Sequence, residues 1–162
     1  MLDIDRIKRD FAHALRRGCF DKGCKLKLDD LDVYVVLKGE AILEDKANRQ
    51  DPPKMCDCIV FVSGSPVIIG IVELKSKTSH SSAVADKFTN SSEIALEILR
   101  KCAGSNVNFE FLHILLHKGL DPTEHRKMQK QRIRVRGKGG KYDIVTKRCG
   151  TSFSSVISKF KK

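Results

Sequence analysis

Two apolar, β-branched runs separated by a short Gly/Ser/Pro turn constrain this 162-residue chain more than any other feature. The first run, at 56–62, contains Asp57, and the second, at 67–75, ends in Glu73 and Lys75. Because side chains alternate across a strand, Glu73 and Lys75 share one face, and antiparallel pairing of the two runs would bring Asp57 close to both. A charge inside an apolar strand is costly to bury without a partner. The pattern therefore indicates a site for a hard divalent cation and an activated water.

A plainer interpretation of the same residues stays open at this point. Glu73 and Lys75 could be an exposed pair at a strand end, and Asp57 could be a turn residue. The position of Asp57 within an apolar run favours the cation site, because an uncompensated charge there would be unfavourable.

The formal net charge of +11 is confined to the last part of the chain. Residues 118–162 contain 14 lysines and arginines against 3 acidic residues, whereas residues 1–117 contain 17 of each. A concentrated basic region is typical of proteins that bind polyanions. The alternative is a solvated basic tail, but the basic residues are interleaved with strand-like sequence, which favours nucleic acid as the partner.

Membrane and secretory classes are not indicated. No apolar run reaches about 18 residues, and the N-terminus lacks a basic segment followed by an apolar one. The sequence therefore predicts a cytoplasmic protein with no membrane partner. Its length predicts one domain, with a core at 1–117 and a basic extension at 118–162 that packs on the same domain.

Hydrophobic periodicity predicts alternating helices and strands. Helices are predicted at 3–17, 83–103 and 151–160, strands at 25–28, 32–37, 56–62, 67–75 and 109–116, and a loop or short helix at 118–130. Residues 38–39 are predicted to form a turn, with 40–43 continuing or pairing with the preceding strand. Residues 131–136 and 142–146 flank a glycine-rich turn and predict a β-hairpin. The order of elements predicts an α/β (α+β) fold, with a mixed sheet flanked by helices.

Asp57, a connection of fifteen residues, the Glu73-Leu74-Lys75 triplet, and then a helix and a strand resemble the PD-(D/E)XK nuclease superfamily. That superfamily includes type II restriction enzymes and archaeal Holliday-junction resolvases, and the small archaeal members are the most similar. The resemblance covers roughly residues 1–117 and implies a restriction-endonuclease-like sheet. It also implies Mg²⁺ (or Mn²⁺) bound by Asp57, Glu73 and the carbonyl of Leu74, with Lys75 orienting the attacking water.

The resemblance leaves the upstream acid of the superfamily open. Glu40 is the first candidate for a fourth catalytic residue, and Asp10 on the predicted first helix is the alternative. The sequence departs from the superfamily pattern at one point, because Cys56 precedes Asp57 where proline is usual. Resolvase-like members usually pair two sites to cut two strands, so the resemblance allows a homodimer.

The predicted DNA-binding surface is mainly the basic hairpin of the extension. Its three alternating arginines would project from one face, with Ile133 and Val135 beneath them. The predicted nucleic-acid contacts are Lys77, Arg132, Arg134, Arg136, Lys138, Lys141, Lys147 and Arg148. Such residues contact phosphates and carry no obvious base code. The chain has no Trp and few other aromatic residues, which argues against a single-strand stacking platform and favours duplex or branched DNA.

The six cysteines allow three interpretations. Free, buried thiols are the favoured one. The alternatives are a disulfide or a zinc site built from Cys19, Cys24, Cys56 and Cys58. On a regular strand, Cys56 and Cys58 would both point away from the cation site. Three functions follow from the sequence: a metal-dependent DNA nuclease, a non-catalytic nucleic-acid-binding module with the same fold, and a zinc-bound structural or partner-binding protein.

Overall fold

The computed structural model describes residues 1–43, 52–75 and 81–158. Within this part of the chain the helices are α1 (Ile4–Asp10), α2 (Gly39–Ile42), α3 (Ser81–Ala103), α4 (Pro122–Lys130) and α5 (Phe153–Ser158). The strands are β1 (Leu15–Arg16), β2 (Cys19–Asp21), β3 (Cys24–Leu26), β4 (Tyr34–Lys38), β5 (Cys58–Val62), β6 (Val67–Lys75), β7 (Phe109–His117), β8 (Arg132–Ile133) and β9 (Tyr142–Arg148). Among the described residues, no helix is both long and apolar enough to cross a bilayer.

Seven strands form one mixed sheet in the order β1-β4-β5-β6-β7-β9-β8. Neighbouring strands are antiparallel from β1 to β6 and parallel at β6–β7 and β7–β9, and β8 is antiparallel to β9. The predicted fold class, a mixed sheet flanked by helices, is confirmed. Two of the seven strands, β8 and β9, come from residues 118–162, so the basic extension lengthens the same sheet.

Apolar side chains are buried on both faces of this sheet. Helix α3 connects the parallel strands β6 and β7, as parallel pairing requires, and it covers one face through residues such as Phe88 and Leu99. The other face packs against α5 and the β2–β3 hairpin. Because both faces are covered, β6 and β7 are almost continuously apolar, which is why their predicted bounds agree closely with the observed ones.

Gly70 in the middle of β6 allows α5 to approach the sheet. A Cβ atom at this position would overlap the ring of Phe153, which is fully buried. Phe153 therefore packs where a side chain on β6 would otherwise lie, and it holds the C-terminal helix against the second face.

The predicted first helix is wrong beyond Asp10. Phe11 leaves the helical region with φ −123° and ψ 33°, and Ala12–Ala14 form a single 3₁₀ turn. The chain then enters β1, which pairs with β4 at the edge of the sheet. The tertiary pairing overrides the helical periodicity, since most of the stability of a short helix comes from its packing.

Three further predicted boundaries differ. Residues 40–43 neither continue nor pair with β4, because the chain turns into the short helix α2 after Lys38. Strand β5 begins at Cys58 and not at residue 56. The C-terminal hairpin is shorter than predicted, since β8 pairs with β9 over two residues only, although Ile133 and Val135 are buried between three exposed arginines as expected.

Candidate functional site

Asp57 and Glu73 meet at the end of the β5–β6 pair. Cys58 lies opposite Val72 in the antiparallel register. Asp57, the residue before Cys58, therefore faces Glu73, the residue after Val72. The backbone N–H of Leu74 donates to Asp57 Oδ2 at 2.7 Å. Within a strand, the N–H and C=O of one residue point toward the same neighbour, so the Leu74 carbonyl also points toward Asp57.

Glu73 is buried, and two lysines contact one of its oxygens. Glu73 is 1% exposed. Its Oε2 lies 3.2 Å from Lys75 Nζ and 2.8 Å from Lys87 Nζ. The other oxygen, Oε1, is buried and accepts no hydrogen bond from the described residues. A buried carboxylate oxygen without a donor is costly, so this atom is available to a cation or a proton.

Sequence reasoning missed Lys87, which reaches the site from α3. A signal was present: Lys87 is three residues after Val84 and four before Ser91, and both of these are buried, so it falls on the buried face of the helix. Burial alone would lower the pKa of Lys87, but its hydrogen bond to Glu73 and the charges of Glu73 and Asp57 outweigh burial and raise it. Lys87 is therefore held in its charged form beside the two carboxyl groups.

Asp57 binds a proton unusually tightly. Burial, followed by its hydrogen bond with Glu73 and the Glu73 charge, raises its pKa to about 7, while the Leu74 N–H acts in the opposite direction. When Asp57 is protonated it can share that proton with Glu73, and when it is ionised two carboxylates face each other. A divalent cation would neutralise this pair more effectively than a proton.

The donor set fits a hard divalent cation. Among the described residues, no group of three or more His, Cys, Asp and Glu side chains lies close enough to hold a metal. Mg²⁺ is often bound by only one or two carboxylates and otherwise by water. Asp57, the free Oε1 of Glu73 and the carbonyl of Leu74 supply oxygen ligands of that kind.

Glu40 lies in a cleft that opens onto Asp57. The cleft has a volume of about 480 Å³, and its lining includes Arg16, Arg17, Phe20, Lys38, Glu40 and Asp57. The backbone N–H of Gly39 donates to the Asp57 carbonyl at 3.0 Å, which fixes the start of α2 beside Asp57. A Cβ at Gly39 would collide with the Cys56 carbonyl, so this close approach depends on glycine.

The alternative upstream acid, Asp10, has a different environment. It is exposed on α1 and pairs with Arg6 at 3.5 Å, and it is not among the described residues that line the cleft.

The cysteines do not follow the favoured interpretation. Disulfides join Cys19 to Cys58 and Cys24 to Cys149, whereas Cys56 and Cys102 are free and buried. The β2–β3 hairpin folds over the face of the sheet opposite α3 and brings its cysteines onto Cys58 and Cys149.

The zinc site and the predicted direction of Cys56 are both wrong. Because β5 begins only at Cys58, Cys56 lies on the α3 side, where its backbone N–H donates to Ser91 Oγ at 2.8 Å. Burial and the nearby Glu73 charge raise the pKa of the Cys56 thiol well above its usual value. With Cys19, Cys24 and Cys58 in disulfides, the proposed four-cysteine set does not assemble.

Part of the predicted DNA-binding surface lies far from this site. Lys138 Nζ donates to the Phe109 carbonyl at 3.1 Å and lies 4.3 Å from the centroid of the Phe109 ring. Phe109 is aligned with Val67, six residues before Glu73 along β6, which is roughly 20 Å at about 3.3 Å per residue. The loop at 134–141, which contains Arg134, Arg136, Lys138 and Lys141, is therefore at the opposite end of the sheet from the carboxyl groups.

Two of the hairpin arginines are also engaged within the protein. Arg132 Nε lies 2.8 Å from Asp143, and Arg136 Nε lies 3.9 Å from Glu93. These pairs are largely exposed, so each contributes little to stability, and a phosphate could compete for the arginines.

A second set of basic residues lies beside the carboxyl groups. Lys75, His117 and Arg148 are in register at the ends of three adjacent parallel strands, and Lys147 precedes Arg148. Burial, followed by the charges of Arg148 and His125, lowers the pKa of His117. Lys77 lies outside the described residues. Of the predicted contacts, Lys147 and Arg148 therefore belong to this near row of Lys75, His117 and Arg148, whereas Arg134, Arg136, Lys138 and Lys141 belong to the far loop at 134–141. Arg132 lies in β8, in neither group.

The Lys87–Glu73 contact leads to a stability prediction. We expect Lys87→Met to lower the free energy of unfolding by about 1–3 kcal/mol, because Glu73 stays buried and loses a charged hydrogen-bond donor. Urea unfolding would measure the change. Lys101→Met, at an exposed position on the same helix, is the matched control, and an equal effect of both substitutions would contradict the prediction.

No protein-family model, no curated protein and no solved structure matches this chain.

Proposed function

We propose that this protein is a metal-dependent nuclease that hydrolyses phosphodiester bonds in DNA. The observation that carries the proposal is the pair of facing carboxyl groups, Asp57 and Glu73, with a buried Glu73 oxygen that has no donor among the described residues. Two lysines contact the same glutamate. Both lysines contact Oε2, which leaves the buried Oε1 of Glu73 open to a bound cation.

Each residue has a distinct task in this proposal. Asp57, Glu73 and the Leu74 carbonyl would hold Mg²⁺ or Mn²⁺, which when bound supplies charge for the scissile phosphate and lowers the pKa of bound water. Lys75, which contacts Glu73 from the end of the same strand, orients the attacking water. Lys87 pairs with Glu73 from α3 and fixes its position.

The substrate backbone would cross the near row of basic residues. Lys75, His117 and Arg148 are on neighbouring strands, about 4.8 Å apart from one strand to the next, and can contact consecutive parts of one phosphate backbone. Glu40 in the adjoining cleft can accept a proton or bind a second water of the cation. One helical turn of DNA spans roughly 34 Å. The far loop would therefore contact the same DNA only if that DNA runs along the sheet for about two-thirds of a turn.

A non-catalytic DNA-binding module is the second candidate, because the loop at 134–141 is basic and is separated from the carboxyl groups. A cleavage assay distinguishes the two. We expect plasmid, four-way junction or single-stranded DNA to be cut with Mg²⁺ or Mn²⁺ and not with EDTA. Glu73→Gln should reduce the rate by about 10²–10³-fold, since it removes a charged ligand from the reaction centre.

Glu97→Gln, at an exposed position on α3, is the control that should cut like the wild type. Circular dichroism and thermal melting would establish that both variants fold. Cleavage that persists in EDTA or is equal in Glu73→Gln would overturn the proposal. Salt-sensitive DNA binding without cleavage would favour the non-catalytic module.

A further inference from the structure

Phe20 is an exposed aromatic residue in the cleft next to Asp57. Phe20 is 65% exposed. Among the described residues, the other exposed large apolar side chains are those of Met1 and Val33. Met1 is the chain terminus, and Val33 is in a turn at the other end of β4. Of these three residues, Phe20 alone lines the cleft that also contains Asp57 of the candidate site.

The chain holds Phe20 in this position. Cys19, directly before it, is bonded to Cys58, which directly follows Asp57. The disulfide therefore links the residue before Phe20 covalently to the residue after Asp57, and so keeps Phe20 close to the site. An added Cβ at Gly18 would lie 3.5 Å from the Phe20 ring, so the ring packs over the backbone of Gly18. A side chain held in this way loses little conformational freedom when it binds a flat ligand.

The surroundings of Phe20 are charged. Arg16, Arg17 and Lys38 are exposed and line the same cleft, together with the acidic residues Asp21, Glu40 and Asp57. An exposed aromatic face in a cleft that also carries arginine and lysine can bind a nucleotide, with the base on the ring and the phosphates on the cations.

We propose that Phe20 stacks on an unpaired base next to the scissile phosphate. This inference rests on the proposed function and specifies its substrate as DNA with a single-stranded, flapped or frayed segment at the cut site. In an intact duplex each base face is covered by its neighbours, so an aromatic side chain can reach only an unpaired or extruded base. Phe20 is a single aromatic residue, so it serves one base and is not a continuous stacking platform.

Equilibrium binding in EDTA tests this without cleavage. The probes are one labelled single strand, the blunt duplex of the same sequence, and that duplex with a single-stranded overhang. We expect Phe20→Ala to weaken binding of the single strand and the overhang by about 5- to 150-fold, the range for loss of one stacked base, and to leave the blunt duplex unchanged. Phe20→Tyr should bind like the wild type.

Two further variants serve as controls. Val33→Ala removes an equally exposed apolar side chain away from the cleft and should change nothing. Arg17→Ala removes a phosphate contact, so it should weaken all three probes alike and reduce the salt dependence of binding. Because Phe20, Val33 and Arg17 are exposed, these variants are expected to melt like the wild type.

The outcomes separate this inference from the proposed function. If the wild type binds DNA but Phe20→Ala binds every probe equally well, or weakens the blunt duplex as much as the single strand, base stacking is wrong and the nuclease proposal survives. If the wild type binds none of the three probes in EDTA at low salt, base stacking is wrong, and the cleavage assay with Mg²⁺ decides the nuclease proposal separately.

Discussion

In metal-free solution at pH 8, Asp57→Asn should be more stable than the wild type by about 2–4 kcal/mol. The reason is that ionising Asp57 costs the folded chain more than it costs the unfolded chain. Its pKa is about 7 in the folded chain against an ordinary value of 3.8. Asn keeps an oxygen for the Leu74 N–H and donates an amide hydrogen toward Glu73, so it reproduces the protonated form of Asp57 at every pH.

The sign of the pH dependence follows from these two values. Below about pH 4 the aspartate is protonated in both states, so the variant should gain little. As the pH rises from about 4 to 7, the unfolded chain loses the proton while the folded chain retains it, and the wild type loses stability relative to the variant. Above pH 7 both states are ionised, and the difference becomes constant.

The stability of the variant must be compared with that of the wild type at each pH, because another buried group, His113, changes the free energy of unfolding with pH in the opposite direction. Burial lowers the pKa of His113 to about 3, so the unfolded chain binds a proton there as the pH falls below the ordinary histidine value of 6.5. His113 therefore destabilises the fold toward acid pH, while Asp57 destabilises it toward neutral pH. Subtracting the wild-type curve from the Asp57→Asn curve removes the His113 contribution.

Urea unfolding in EDTA at several pH values between 4 and 8 is the measurement. Asp29→Asn, at an exposed aspartate, is the control and should show no such difference. Adding Mg²⁺ should raise the melting temperature of the wild type more than that of Asp57→Asn, because the variant lacks one of the two carboxylate ligands. A variant that is less stable than the wild type at pH 8 would contradict the assignment of a retained proton.

Local sequence patterns predicted the elements that are long and regular. Strand β6 and helix α3 were recognised because an apolar run of nine residues and a helical repeat of more than twenty residues leave few alternatives. Asp57 and Glu73 were identified as neighbours because the turn between their strands is short, so antiparallel pairing is the simple outcome. The fold class followed from the same elements.

Contacts between distant segments could not be predicted in this way. Lys87 reaches Glu73 only because α3 packs across β6, and the helical pattern gives the buried face without saying which strand it covers. The far position of the loop at 134–141 depends on β9 being parallel to β7. A hairpin pattern is the same for either direction, so the sequence did not indicate at which end of the sheet the basic turn would lie.

The cysteine pairing also depends on contacts between segments that are distant in the sequence. Cys24 and Cys149 are 125 residues apart in sequence, and they meet because the β2–β3 hairpin covers the second face of the sheet beyond the end of β9. Six cysteines can form three disulfides in 15 ways, and the choice of two disulfides with two free thiols comes from the fold alone.

The Cys24–Cys149 disulfide should be worth about 3–5 kcal/mol of stability. A cross-link that closes a loop of more than a hundred residues restricts the unfolded chain strongly, and here it joins the N-terminal hairpin to the last strand of the sheet. We expect Cys24→Ala and Cys149→Ala to lower the free energy of unfolding by similar amounts, since each removes the same loop closure. Urea unfolding without reductant would measure both.

The control is Cys102→Ala, which truncates a buried free thiol and should cost about 1 kcal/mol. Adding a reductant should bring the wild type down to the level of Cys24→Ala or below it, because reduction also opens Cys19–Cys58, and it should leave the Cys102→Ala penalty unchanged. Thiol titration of the unfolded, unreduced chain should find two reactive groups, Cys56 and Cys102. Six reactive thiols, or a wild-type stability that reductant does not change, would contradict both disulfides. Such a result would also remove the tether that holds Phe20 beside Asp57, so the thiol count bears on the stacking proposal as well as on stability.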